Sequence, residues 1–142
     1  MRILIAEDDA VSSKFLSKFL SKYGDVDFTI DGIETAQAFL MAIEDGRPYD
    51  LICLDIMMPK VDGVKVLKAF RDIEKKKGIK SDKGSKVIMT TALAETKYVN
   101  QAFEIGCEAY VAKPINLKEL AEILAKLGIL QLAKKDVNKW SV

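Results

Sequence analysis

Residues 51–59 read Leu51-Ile52-Cys53-Leu54-Asp55-Ile56-Met57-Met58-Pro59, and the first five decide the fold. Leu51 to Leu54 are apolar at every position and then stop on a carboxylate. A run this short has strand length, and its lack of alternation marks a strand buried on both faces, as in a parallel sheet covered by helices. Four more runs of this kind lie at Arg2 to Ala6, Val26 to Ile30, Val87 to Thr90 and Ala109 to Ala112.

Working outward, the intervening stretches carry helical spacing. The apolar positions are Val11, Phe15 and Phe19; Ile33, Ala36, Leu40 and Ile43; Val64, Leu67 and Ile73; Val99, Ala102 and Phe103; and Leu117, Leu120 and Leu124. Strand and helix alternate throughout, which predicts parallel strands joined by right-handed crossovers with helices on both faces. The fold class is α/β, a three-layer sandwich of a five-stranded parallel sheet and five helices. Ser12 and Ser13 follow an acidic pair where the first helix should start, Gly24 and Gly46 are placed to close the first two helices, and Asn116 is placed to cap the last.

Two segments fall outside this alternation. From Lys75 to Lys86 six lysines accompany one acid and two glycines, a composition that predicts an exposed, mobile, solvated connector. After Gly128 the chain runs through Ile129, Leu130 and Leu132 to Lys134, Lys135 and Trp140, an extra helical turn or a docking tail. The domain division is therefore 1–127 for the sandwich and 128–142 for the extension.

A length of 142 residues suits one such domain. The apolar fraction of 49% beside 30% charged residues is that of a soluble protein, and no apolar run reaches the ~20 residues of a membrane span. The apolar stretch before Glu7 is too short for a signal-peptide core. Cys53 and Cys107 lie in apolar surroundings without disulfide or metal spacing, so the expected location is the cytoplasm. A net charge of +1 argues against a broad nucleic-acid footprint, and the absence of histidine leaves carboxylates, hydroxyls and lysines to carry any chemistry.

Those groups collect at strand ends, where open α/β sheets bind ligands. The first strand is followed by Glu7, Asp8 and Asp9, the third by Asp55, the fourth ends at Thr90 and Thr91, and the fifth is followed by Lys113 and Pro114. Two carboxylates ~4 Å apart repel by about 4 kcal/mol at an effective dielectric near 20, so such a cluster calls for a cation. Mg²⁺, with Mn²⁺ as a substitute, suits one or two carboxylates plus water and phosphate oxygens. A carboxylate beside that ion can accept a phosphoryl group as an acyl phosphate, which makes Asp55 the candidate nucleophile. The ammonium of Lys113 and the hydroxyl of Thr91 suit the phosphoryl oxygens.

Taken singly, each of these residues has an ordinary structural use: an Asp at a strand end caps a helix, a Thr packs, a Lys is solvated. Their joint placement is what points to a site. The chain then resembles the receiver domains of bacterial response regulators from Met1 to about Leu127. Glu7-Asp8-Asp9 resembles the family's acidic pocket, Asp55-Ile56-Met57-Met58-Pro59 its phosphorylation motif, Asp62-Gly63 the turn that follows, Thr91-Ala92 its hydroxyl-plus-small pair, and Tyr110-Val111-Ala112-Lys113-Pro114 its aromatic switch and lysine–proline signature. Lys60 and Val61 depart from it, standing where the family often has Gly and Met, and the lysine-rich stretch is longer than usual.

The resemblance implies a flavodoxin-like, doubly wound strand order of 2-1-3-4-5. It implies that Asp55 accepts phosphate, that Asp9 and Asp55 ligate Mg²⁺ directly, that Asp8 acts mainly through water, and that Met57 offers its backbone carbonyl. It implies a cis peptide before Pro114 and a switch in which Thr91 moves toward phosphorylated Asp55 while Tyr110 rotates inward. The implied partners are a sensor histidine kinase or phosphotransfer protein, a downstream protein target, and a second copy through the face of the fourth helix, fifth strand and fifth helix. The expected role is a stand-alone phosphoacceptor, not an enzyme on other substrates, without direct nucleic-acid contact or membrane insertion. A phosphorelay intermediate or a receiver cut from a larger regulator is the alternative. An aspartyl phosphatase of the haloacid-dehalogenase type is disfavoured because Met57 stands where that class needs a second Asp. A flavodoxin-type carrier is disfavoured because Asp8 and Asp9 would repel a phosphate.

Overall fold

The computed structural model describes residues 1–129, so the predicted tail beyond Ile129 lies outside the described residues. The strands are β1 (Arg2–Ala6), β2 (Asp25–Thr29), β3 (Leu51–Asp55), β4 (Lys86–Thr91) and β5 (Ala109–Ala112). The helices are α1 (Ala10–Leu20), α2 (Gly32–Glu44), α3 (Gly63–Lys76), α4 (Val99–Ile105) and α5 (Leu117–Lys126). All four strand pairings are parallel, in the order β2-β1-β3-β4-β5.

The alternation of side chains along each strand sorts the core into two layers. Ile3, Ile5, Leu51, Cys53 and Ile88 face Leu16 and Leu20 of α1 and Leu120 and Leu124 of α5. Leu4, Ala6, Ile52, Leu54, Val87 and Met89 face Phe39 of α2, Phe70 of α3 and Ala102 of α4. Phe39 and Phe70 are fully buried and stack with ring centroids 4.2 Å apart. Every residue of β3 is buried, which explains why its sequence does not alternate. Cys53 and Cys107 are buried thiols, and burial pushes their pKa values up to about 12 and about 11. Among the described residues no helix is long and apolar enough to cross a membrane.

Two local expectations need correction. Asp9, rather than a serine, caps α1. Helix α1 ends at Leu20, and Gly24 does not close it. Gly24 instead lies where a side chain would collide with the carbonyl of Met1.

The lysine-rich stretch is more ordered than its composition implies. Lys75 and Lys76 complete α3, Ser81–Lys83 form a 3₁₀ turn, and Ser85 is buried. The anchor lies just outside the stretch: the Glu74 carboxylate accepts the Ser85 amide at 2.8 Å and pairs with Arg71 at 2.7 Å. Gly84 packs so closely on that carboxylate that an added Cβ would come within 2.6 Å of it. Arg71 also reaches the carbonyls of Ser85 and Gly106 and the carboxylate of Glu108, tying the connector to the loop before β5.

Candidate functional site

Parallel strands bring their carboxyl ends to one edge of the sheet, and the central strand places Asp55 in the middle of that edge. Asp55 is 3% exposed. One carboxylate oxygen accepts the Met57 amide at 3.3 Å and the other accepts Lys113 Nζ at 3.1 Å. Lys113 follows β5, and its peptide to Pro114 is cis, as the resemblance implied. Its ammonium donates to both oxygens of Glu7 as well, at 3.0 and 2.9 Å. Glu7 is buried and continues the line of β1, its amide bonding the Thr29 carbonyl at 3.0 Å.

Glu7, Asp8 and Asp55 each bring a carboxylate oxygen within 4.8 Å of the others, with Asp8 open to solvent. At that separation two charges repel by roughly 3–4 kcal/mol at an effective dielectric of 20. The consequence falls on Asp55, whose pKa is pushed up to about 7 by burial first and then by Glu7, with Lys113 opposing. Burial disfavours the Lys113 ammonium, but its bonds to Glu7 and Asp55 outweigh that and hold its pKa above the usual lysine value. With Asp55 ionised, three carboxylates and one ammonium leave two negative charges uncompensated. Hard oxygen donors with that residual charge fit a divalent cation such as Mg²⁺.

Asp9 does not join this group. Its oxygens take the Val11 amide at 3.3 Å and the Ser12 hydroxyl at 2.6 Å, and those bonds hold its pKa below the usual carboxylate range. The last of the three acids is thus the helix cap, and Glu7, given no role of its own from sequence, stands with Asp8 and Asp55. The spacing carried that signal: an Asp immediately before a helical run is the cap, which leaves the first two acids for the site.

The other predicted residues lie around this centre. Thr91 ends β4 fully buried, with its hydroxyl donating to the Ala92 carbonyl at 2.9 Å rather than toward Asp55. Tyr110 on β5 is 43% exposed and meets the Phe103 ring edge-on, centroids 6.1 Å apart. Met57 is exposed.

The loop that carries Met57 closes on itself, with the Gly63 amide bonding the Ile56 carbonyl at 2.6 Å and Gly63 packed where a side chain would strike the Asp55 carbonyl. Its outer end touches the β2–α2 turn. Gly32 donates to the Pro59 carbonyl at 3.1 Å, and Lys60, in a left-handed conformation (φ 71°), reaches Asp31 at 3.4 Å.

Comparison with known proteins agrees with this geometry. The response regulator receiver domain family matches residues 3–125. The chemotaxis protein CheY of Treponema pallidum is 30% identical over 128 residues, covering 89% of this chain and 81% of that protein. Other curated relatives are longer, and the chain spans 50% of the probable transcriptional regulatory protein SilR of Salmonella typhimurium. Among solved structures, the Saccharomyces cerevisiae Ssk1 receiver, crystallised with the histidine phosphotransfer protein Ypd1, superposes with a TM-score of 0.76 at 26% identity, covering 92% of this chain and 90% of that one. The receiver domain of a Pseudomonas aeruginosa sensor histidine kinase, with a magnesium ion coordinated in its active-site cleft, gives 0.70 at 26% identity, covering 89% and 95%. With its sheet order, its strand-end carboxylates and this match, the chain belongs to the response regulator receiver domain family of two-component signalling.

Proposed function

We propose that the protein accepts a phosphoryl group on Asp55 from a phosphohistidine donor and transmits the event by binding another protein. The observation that carries this reading is the buried carboxylate of Asp55, held between the Lys113 ammonium and two further carboxylates. Glu7, Asp8 and Asp55, with the Met57 carbonyl completing the set, would hold Mg²⁺; when bound, the ion neutralises charge on the phosphoryl oxygens. Asp9 takes no part, being committed to the helix end.

In the transfer an Asp55 oxygen forms a bond to phosphorus as the donor's phosphorus–nitrogen bond breaks, and the electron pair leaves on the imidazole nitrogen. Lys113 stands 3.1 Å from Asp55 and offers its charge to a phosphoryl oxygen. The Thr91 hydroxyl exchanges its Ala92 partner for another phosphoryl oxygen, and Tyr110 turns inward, altering the surface shared by α4, β5 and α5. That face would meet the downstream protein or a second copy. The protein turns over only its own phosphate, and the sandwich of 1–127 is the unit that does so. A sensor kinase or phosphotransfer protein is the expected donor, in keeping with the company of the yeast relative.

The test is intact mass after incubation with acetyl phosphate and Mg²⁺. Wild type should gain one hydroxylamine-labile phosphoryl group, Asp55→Asn none, and wild type in EDTA little. An unmodified wild type, or an equally modified Asp55→Asn, refutes the reading.

A further inference from the structure

The Met57 loop leaves β3 at Asp55 and returns at Gly63, and both ends of it are fixed from inside by Asp55, Ile56 and Gly63. Its outer part is held differently. Among the described backbone bonds, residues 57–62 are tied to another element through the Gly32 amide on the Pro59 carbonyl, and the Lys60–Asp31 ion pair lies beside that bond. The packing there leaves no slack: a Cβ on Gly32 would collide with the Val61 carbonyl and come within 2.7 Å of the Val61 Cβ. Asp31 has two tasks at once, one oxygen capping α2 through the Glu34 amide at 2.8 Å and the other facing Lys60. Lys60 keeps its place although its backbone is in the left-handed region that favours glycine.

We propose that Asp31, Gly32 and Lys60 are positioning residues for the metal site, clamping the phosphorylation loop from the β2–α2 turn so that the Met57 carbonyl is held for the cation. Mg²⁺ demands a near-octahedral set of short bonds, so a ligand on a loose loop costs affinity even though nothing that touches the metal has changed. Partners one step removed from a metal typically alter its affinity by 10–100-fold. The inference rests on the reading of Glu7, Asp8 and Asp55 as the Mg²⁺ site.

Isothermal titration with Mg²⁺ at pH 8, checked by Mn²⁺ paramagnetic resonance, tests it on the full chain. Melting curves in EDTA confirm that each variant is folded. Gly32→Ala should weaken Mg²⁺ binding about ten-fold. Asp31→Asn keeps an equally good helix cap while removing the charge pair, and Lys60→Met removes the other partner; each should weaken binding by a few-fold, and Lys60→Arg should restore it. The Lys60 variant separates positioning from simple field effects, because deleting a cation near a cation site tightens binding if charge alone matters. A folded Gly32→Ala with wild-type affinity overturns the proposal. Should Gly32→Ala fail to fold, the Asp31 and Lys60 variants decide, and unchanged or tighter binding in Lys60→Met overturns it. A wild type that binds no Mg²⁺, or an Asp55→Asn that binds it equally well, instead overturns the site reading on which the proposal rests.

Discussion

Replacing Asp55 with Asn removes a carboxyl that burial and Glu7 hold at a pKa of about 7, against 3.8 for the ordinary group. Between those values the folded, metal-free chain keeps a proton that the unfolded chain has released. The stability contributed by the protonated carboxyl is therefore complete below about pH 4 and lost as the pH rises to about 7. At ~1.4 kcal/mol per pH unit for one proton, the loss amounts to about 2–3 kcal/mol from pH 5 to pH 8. Asparagine does not titrate, has nearly the same volume and still offers Lys113 an oxygen acceptor, so other titrations cancel in the difference between the two proteins. Urea unfolding in EDTA measures it. With a slope of about 1.5 kcal/mol per molar, the wild-type midpoint should drop by ~1–2 M relative to Asp55→Asn across that interval. Adding Mg²⁺ at pH 8 should recover stability in wild type and little in the variant. A difference that stays flat with pH, or grows in favour of wild type, refutes the account of a carboxylate destabilised by its surroundings.

Lys113→Met leaves Glu7 and Asp55 without their shared cation; the expected cost is ~2 kcal/mol at pH 8, smaller at pH 5 where Asp55 takes up a proton, together with slower phosphorylation from acetyl phosphate. Glu74→Gln removes the charge facing Arg71 while keeping an acceptor for Ser85, so a loss of about 1–2 kcal/mol is expected in thermal unfolding, with faster proteolysis between residues 77 and 86. Gly63→Ala drives a methyl into the Asp55 carbonyl and should destabilise the fold by ~2 kcal/mol or more by the same measurement; an unchanged melting curve would mean that the loop yields freely there.

The sheet was legible because Leu51 to Leu54 and their counterparts carry burial in their composition, and the helices because their apolar spacing is regular. Asp55 and Lys113 were legible from their places just after apolar runs. The division of labour among Glu7, Asp8 and Asp9 was misread because acidity was weighed ahead of helix-cap spacing. The connector after α3 was legible as exposed surface but not as ordered structure: six lysines describe its solvated side, whereas its order comes from Glu74 and Arg71, which precede the stretch, and from Glu108, which lies far beyond it. The Asp31–Lys60 contact belongs to the same class, since two turns 29 residues apart meet only once the sheet has assembled.

Asp55 ends a strand that is buried along its whole length and paired on both sides. Its amide protons should be among the slowest in the molecule to exchange with solvent, because opening them requires unfolding of both core layers. A carboxylate mounted on such a fixed bearing cannot absorb a change by retreating. The adjoining 3₁₀ segment Leu93–Tyr98, a form with poorer hydrogen-bond geometry, and the seven-residue α4 that follows it are shorter elements and should exchange their amide protons sooner than β3. Exchange rates should therefore fall into a slow set on β3 and a faster set beyond β4, with Asp55 on the slow side of that boundary.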